Sequence, residues 1–487
     1  MSLIKKLAGE TAIYGIPTIL SRVLNFFIIA SYMTSLLSDN QYGVMQMMFV
    51  VAAAGMVFFT YRMETTLFRF GSQKEDAEKS FTTAATMIVI STAVLIILVL
   101  LLAKPLTALF LKEGLHRYFF YFAGILAFDA LAAVPFAKLR LENRAKWFAS
   151  LKVVNIILNI CILLLCFEVL PRLGYHYDPM YKLDIVFLSN LITSLVVLML
   201  IVPTYRTSEW NFDMALAKRM ISYTWPLAVI ALAGVINQNG QFTLLKWIYP
   251  EGGEVDAMQI VGRYGGATKL AIFMSLFTTA FNFAAEPFFF KQAAGSDDRS
   301  VYGKVAAAYT LVATTVFLGI IYYIDIIQLL LRKPEFREAV DAVPTLLLAF
   351  LFLGLYYNVA IWYKLSDKTK YGMLISLSGT VITIVLNILL IPIWGYHGCA
   401  IATLACFIFM VVVCYYYGQR LYPIDYPVGR ILKYIFLGLI FWRISAYIRP
   451  SFDGNLVSIL GVNTLLLLGF LGLIYFTDRK YLRSLLS

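Results

Sequence analysis

The residue with the most chemistry to offer is an arginine in the middle of an apolar run. Arg22 lies inside Thr11 to Leu37, a stretch that begins after Lys5 and Lys6. At 1.5 Å per residue, about 27 residues make roughly 40 Å of helix, enough to cross a hydrocarbon core of about 30 Å. Thr11, Tyr14, Thr18, Arg22, Asn25 and Tyr32 recur at helical spacing as one polar stripe, while Ile13, Ile16, Leu20, Leu24, Phe27 and Ile28 cover the rest. A central Arg costs about 2.5–3.5 kcal/mol on insertion scales, so it should face a partner or a wet cavity rather than lipid. Its planar guanidinium can grip phosphate oxygens bidentately, which points to an anion as the ligand.

Further ionisable residues lie within apolar runs of the first half. They are Arg62, Glu64 and Arg69, then Asp129 ahead of Pro135, then Lys152 with Asn155 and Asn159 three and seven residues on. One reading is a cationic chamber for an anion, since a dry wall needs no such groups. The other pairs Glu64 or Asp129 with an Arg and lets Arg62 and Arg69 snorkel to the interface. In the second half Tyr264, Thr268, Ser275, Thr279, Asn282 and Glu286 form another polar stripe with Lys269 beside it, expected to face the same cavity. Glu286 precedes Pro287, whose ring frees a carbonyl one turn earlier. Candidate substrate-binding residues are therefore Arg22, Asn25, Lys152, Asn155, Lys269 and Asn282. Candidates for coupling or gating are Glu64, Asp129 and Glu286. Asn237, Gln238, Asn239 and Gln241 add a neutral patch that suits sugar hydroxyls or interhelical hydrogen bonds equally.

The elements that carry these residues follow from composition. The chain is 61% hydrophobic and 14% charged, against about 25% charged in soluble domains. That defines an all-α, polytopic membrane protein. Runs of at least about 17 apolar residues number roughly 14, near 11–37, 41–70, 80–103, 116–138, 147–170, 183–203, 219–248, 260–290, 302–331, 342–364, 371–392, 398–418, 431–448 and 456–477. Lys and Arg in alternate loops divide about 23 to 9, which by the positive-inside rule puts both termini in the cytoplasm. The start reads as a retained helix rather than a signal peptide, because it is too long and polar-striped and has no small-residue cleavage site.

Tyr14-Gly-Ile-Pro17 is echoed by Tyr223-Thr-Trp-Pro226, and Tyr42-Gly43 by Tyr264-Gly265. With six spans in each copy, the echo suggests an N-terminal lobe over 1–205, a C-terminal lobe over 206–418, and two additional spans over 419–487. Several function classes fall away. The net charge of +12 has no basic soluble module to carry it, so nucleic acid is not expected. The chain has no Walker-type phosphate loop. His116, His176 and His397 stand apart from one another and from the five Cys, so neither a metal nor a cofactor is expected. The extramembrane loops are short, which argues against an enzyme.

Leu20-Ser-Arg-Val-Leu-Asn-Phe26, Ser38-Asp-Asn-Gln-Tyr-Gly-Val44 and Met63-Glu-Thr-Thr-Leu-Phe-Arg-Phe70 resemble the opening of Wzx-type polysaccharide flippases of the multidrug/oligosaccharidyl-lipid/polysaccharide exporter superfamily. Tyr264 with Lys269, and Ala285-Glu-Pro-Phe288, are similar to its second half. The resemblance implies two six-helix lobes around a central cavity in a MATE-like arrangement, plus two C-terminal helices. It further implies alternating access that carries an undecaprenyl-pyrophosphate-linked oligosaccharide from the cytoplasmic to the outer leaflet of a bacterial inner membrane. Expected partners are that substrate, membrane lipids and polysaccharide polymerase machinery, with a proton or sodium as coupling ion. Related lipid II flippases have an arginine in a similar Ser-Arg-Val-Leu run, which singles out Arg22; Asn25 and Phe26 depart from their pattern. An ion-coupled drug antiporter and a non-transporting scaffold of a polysaccharide assembly complex are the alternatives. The cationic residues favour an anionic substrate over a cationic drug.

Overall fold

The computed structural model describes residues 31–71, 77–142, 144–206, 210–250, 255–295, 298–366, 368–452 and 455–486. No strand occurs among them. The α-helices of nine residues or more are α1 Asp39–Thr60, α2 Met63–Gly71, α3 Ala77–Leu101, α4 Arg117–Leu141, α5 Ala145–Leu164, α6 Lys182–Ile201, α7 Met214–Ile248, α8 Ala257–Gly295, α9 Ser300–Tyr322, α10 Val343–Val359, α11 Thr369–Trp394, α12 Tyr396–Leu421, α13 Val428–Ile448 and α14 Leu456–Leu486. Twelve helical segments among the described residues are long and apolar enough to cross a membrane. They coincide with twelve of the runs read from the sequence. The run at 260–290 is α8, 39 residues long. Of the first run only its tail is described, including a short helix at Met33–Leu36. Arg22 and Asn25 lie outside the described residues.

The chain divides into two compact units, the first closing at Gly265 and the second being Gly266–Ser487. In the first, α4 is the hub, packed by α1, α2, α3 and α6. Met63 and Leu67 of α2, Phe81, Ala84 and Ile88 of α3, Val134 and Ala137 of α4 and Met220 of α7 share one core cluster. The sequence sets the helix starts. Ser38 caps α1 in a reciprocal box with Gln41, and Asp213 accepts from the Ala215 and Leu216 N–H groups at the start of α7. The Lys79 ammonium lies 2.6 Å from Asp213 and, with the two cap hydrogen bonds, draws its carboxyl down to about 2. Because the folded value is depressed, this cap is fully charged above an unfolded value of about 3.9 and weakens only as pH falls toward about 2. The pairing should therefore survive mild acid, and the destabilisation caused by Asp213→Asn, read as the melting-temperature difference from the parent, should be largest above about pH 4 and shrink as pH falls toward about 2.

Two glycines let α1 and the first turns of α8 cross at backbone contact. A Cβ on Gly43 would run into the Met258 carbonyl, and one on Gly262 into the Asp39 carbonyl. Beside this crossing Arg263 Nε donates to Asp39 at 3.0 Å, and Gln259 donates to the same carboxylate. The ion pair is largely buried on both sides. Proline in a helix interior ordinarily kinks or breaks it, yet α4 runs through Pro135. The proline has no N–H for the Leu131 carbonyl, and the Tyr205 hydroxyl supplies the missing donor at 2.5 Å.

In the second unit α12 packs against α10 and α11, and α9 against α10, α13 and α14. The last two helices are fixed by a buried polar network. Asn463 of α14 donates to the Tyr322 carbonyl at 2.9 Å and accepts from Ser445 of α13 at 2.6 Å. The Tyr322 hydroxyl reaches the Phe441 carbonyl.

Candidate functional site

A cavity of about 530 Å³ opens inside the first unit. Its described walls come from five helices, and α1 and α4 each contribute one helical face. Ala53, Met56, Val57 and Thr60 of α1 stand at i, i+3, i+4 and i+7. Asp129, Ala132, Ala133, Phe136, Ala137 and Arg140 run along α4 in the same way. Phe148, Lys152 and Asn155 come from α5, Val197 from α6, and Arg62 and Glu64 from the junction of α1 with α2. Five of the residues singled out from the sequence thus converge: Arg62, Glu64, Asp129, Lys152 and Asn155.

Among the described residues the walls carry three cations, two carboxylates and an aromatic floor. The Lys152 ammonium sits 4.2 Å above the Phe136 ring, which meets Phe148 edge-on at 5.5 Å. Arg140 lies over the Phe68 ring at 4.7 Å. Asp129 faces the Ser194 hydroxyl and is within electrostatic reach of Lys152. The Arg62 guanidinium is 3.7 Å from Glu64, and the second Glu64 oxygen, Oε2, is buried with no hydrogen-bond partner among the described residues.

How Arg62 reaches the cavity is a finding that the sequence concealed. The run 41–70 reads as one helix, but Tyr61 and Arg62 are both left-handed, at φ 34° and 62°, and separate α1 from α2. In an uninterrupted helix Arg62 would lie about 200° round from Thr60, facing away from the cavity. The break turns it inward. Glu64 would share the Thr60 face either way, since four residues make about one turn. Two consecutive non-glycine residues in this conformation cost on the order of 1–3 kcal/mol each and persist only where surrounding contacts over-determine them. Glycine tolerates such φ values freely, while the Tyr61 ring packs against the core shared by α2, α3 and α4, so Tyr61→Gly is expected to melt above Tyr61→Ala, which loses the ring and keeps the strain.

Arg140 lies past the end of the apolar run at 116–138, but α4 continues to Leu141 and brings it into this wall. The signal was present, because it falls eleven residues after Asp129 on one helical face. Arg69 caps the Tyr223 ring at 4.3 Å instead of lining the cavity. Lys269 and Asn282 lie on α8 within the second unit, both half-buried, and the Glu286 side chain lies outside what the structure describes. On the same stripe the Thr279 hydroxyl bonds the Ser275 carbonyl. Asn237 and Gln241 of the neutral patch are buried on α7.

A bundle of long apolar helices with a charged cavity in its interior is a multi-pass membrane protein of a transporter fold. The chain belongs to the family described as polysaccharide biosynthesis protein, whose sequence model matches residues 7–293. Its fold is that of the lipid II flippase MurJ in an inward closed conformation, with a TM-score of 0.76 over 97% of this chain and 99% of that one, at 15% identity. An inward-facing MATE-family multidrug resistance transporter of the MOP superfamily aligns with a TM-score of 0.66 over 84% of this chain and 94% of that one, at 12% identity. The Vibrio cholerae MATE transporter VcmN in its bent form aligns at 0.58 over 85% and 97%, at 14% identity. No curated protein matches the sequence. The fold is thus one found in membrane flippases and transporters.

Proposed function

We propose that the protein flips a lipid-linked oligosaccharide bearing a diphosphate, of the undecaprenyl-pyrophosphate class, from the cytoplasmic to the outer leaflet of a bacterial inner membrane by alternating access. The observation that carries the reading is the excess of cations in a membrane-interior cavity: Arg62, Arg140 and Lys152 against Glu64 and Asp129. A diphosphate is the part of such a substrate that cannot cross lipid unaided, and guanidinium groups are its best ligands. Asn155 and the Phe136–Phe148 floor suit the neighbouring sugar. Arg22, Asn25, Lys269 and Asn282 complete the proposed binding set, and Glu64, Asp129 and Glu286 are the proposed coupling or gating acids, served by a proton or sodium. The lobes over 1–205 and 206–418, with the pair of spans after them, and a contact with polysaccharide polymerase machinery belong to the same proposal.

The test is a deletion of the gene in its host. Prenyl-pyrophosphate oligosaccharide should accumulate in the cytoplasmic leaflet and return to normal on complementation. Unchanged glycolipids with heightened drug sensitivity would instead assign the chain to the drug antiporters. The orientation is tested separately. With both termini cytoplasmic, Gly253→Cys is expected to react with an impermeant maleimide added to intact cells and Ser296→Cys only after lysis; the reverse pattern would invert the topology.

A further inference from the structure

A buried hydrogen-bond network outside the cavity meets the break at Tyr61 and Arg62. Thr224 is a buried hydroxyl on α7, two residues before Pro226. It donates to the Tyr61 carbonyl at 2.6 Å and accepts from the Thr66 hydroxyl at 2.8 Å. Thr66, fully buried on α2, also lies 3.3 Å from the Arg62 carbonyl. These bonds bracket the two left-handed residues from both sides. The Tyr61 carbonyl precedes Arg62 directly, and Thr66 is the first turn of the helix that Arg62 opens. Around them α2 is stitched to the same face of α7: Arg69 over Tyr223, Phe70 against Tyr223 at 6.1 Å, and Met63 and Leu67 against Met220.

We propose that Thr224 is a positioning residue for anion binding: its hydroxyl pins the left-handed turn at Tyr61 and Arg62, and thereby holds the Arg62 guanidinium inside the cavity. The inference rests on the reading of that cavity as an anion site. Ordinary helical packing of α2 on α7 requires only shape, which valine would reproduce. Pinning a disfavoured backbone requires the hydroxyl, because the Tyr61 carbonyl has lost its place in the helical ladder and a buried carbonyl without a donor drives the turn back toward regular helix. Regular helix would carry Arg62 away from the cavity.

The experiment titrates inorganic pyrophosphate into the purified full chain in nanodiscs by calorimetry. Thr224→Val should weaken the dissociation constant about fivefold or more, and Thr224→Ser, which keeps the hydroxyl, should stay within about twofold of the parent. Arg62→Ala should weaken binding at least as much, and adding Thr224→Val to Arg62→Ala should then change nothing further. Tyr61→Gly, which accepts the left-handed turn without help, should recover most of the loss in Thr224→Val. If Thr224→Val does not purify, Thr224→Ala removes the hydroxyl without adding bulk and carries the same expectation. Parent-like binding by Thr224→Val while Arg62→Ala is weak would overturn the role of Thr224. So would an equal loss from Thr224→Val in the Arg62→Ala background, which would make its effect general packing. Parent-like binding by Arg62→Ala is a different failure: it would remove the cavity's reading as an anion site, and the positioning role with it.

Discussion

Gly262→Ala should reach the membrane in far smaller amounts than the parent chain, and Gly43→Ala should behave the same way. Each substitution adds one carbon, but that carbon meets backbone: the Asp39 carbonyl for Gly262 and the Met258 carbonyl for Gly43. A flexible side chain could swing aside; a helix axis can only move away. Overpacking a tight contact typically costs about 1–3 kcal/mol and sometimes more. Here the separation would also stretch the bonds from Arg263 and Gln259 to Asp39, and a buried carboxylate deprived of its partners adds about 3–5 kcal/mol. Gly234→Ala on α7 is the control, because nothing lies within 4 Å of the added carbon. Monodisperse yield and melting temperature in detergent decide the matter. Parent-like values for both Gly43→Ala and Gly262→Ala would show that α1 and α8 do not meet at backbone contact.

The second large effect is expected at Lys152. Lys152→Met keeps most of the length of the unbranched side chain but removes the charge from a cavity that also holds Asp129. Two losses should follow and they can be separated. Membrane abundance should fall, because the Asp129 carboxylate is left without its nearby cation. Transport per molecule should fall by a factor of 10 or more, as expected when a charge-assisted contact worth about 1.5–3 kcal/mol is lost. Adding Asp129→Asn should restore abundance and leave transport low. Recovery of both would make the two residues a structural pair with no part in binding; full transport by Lys152→Met alone would remove Lys152 from the mechanism.

Much of this arrangement can be read in the sequence, and the parts that cannot have identifiable reasons. The spans are legible because lipid demands long apolar runs with internally satisfied backbones. The intramembrane charges are legible for the converse reason: their expense marks them out. Which charges meet is a different matter. Asp129, Lys152 and Glu64 converge through helix rotations that no local pattern encodes. The break at Tyr61 and Arg62 is hidden more deeply, because neither residue is a glycine, proline or asparagine, and its cause lies about 160 residues away in the Thr224 hydroxyl. The pairing of Tyr42-Gly43 with Tyr264-Gly265 drew attention to the right helices for another reason than the one the structure displays. Gly43 meets Gly262 and Met258, while Gly265 rests on the Gln46 side chain. Pro135 misleads in the opposite direction, since a strong local signal is cancelled by a tyrosine 74 residues beyond the Leu131 carbonyl that the proline leaves without a donor.

The network that fixes α14 has a consequence for the making of the protein. Asn463 joins the Tyr322 carbonyl across 141 residues of chain. At about 5–20 residues per second of synthesis, that interval lasts roughly 7–28 s. Throughout it α9 is already made, while the side of it that will receive α13 and α14 has only lipid or an insertion factor for company. A ribosome stalled or a chain truncated shortly after α12 would therefore leave a nascent protein whose earlier helices are complete and whose α9 waits unmatched. Such an intermediate is a natural target for membrane quality control, and the last two helices would act as the signal that ends its exposure.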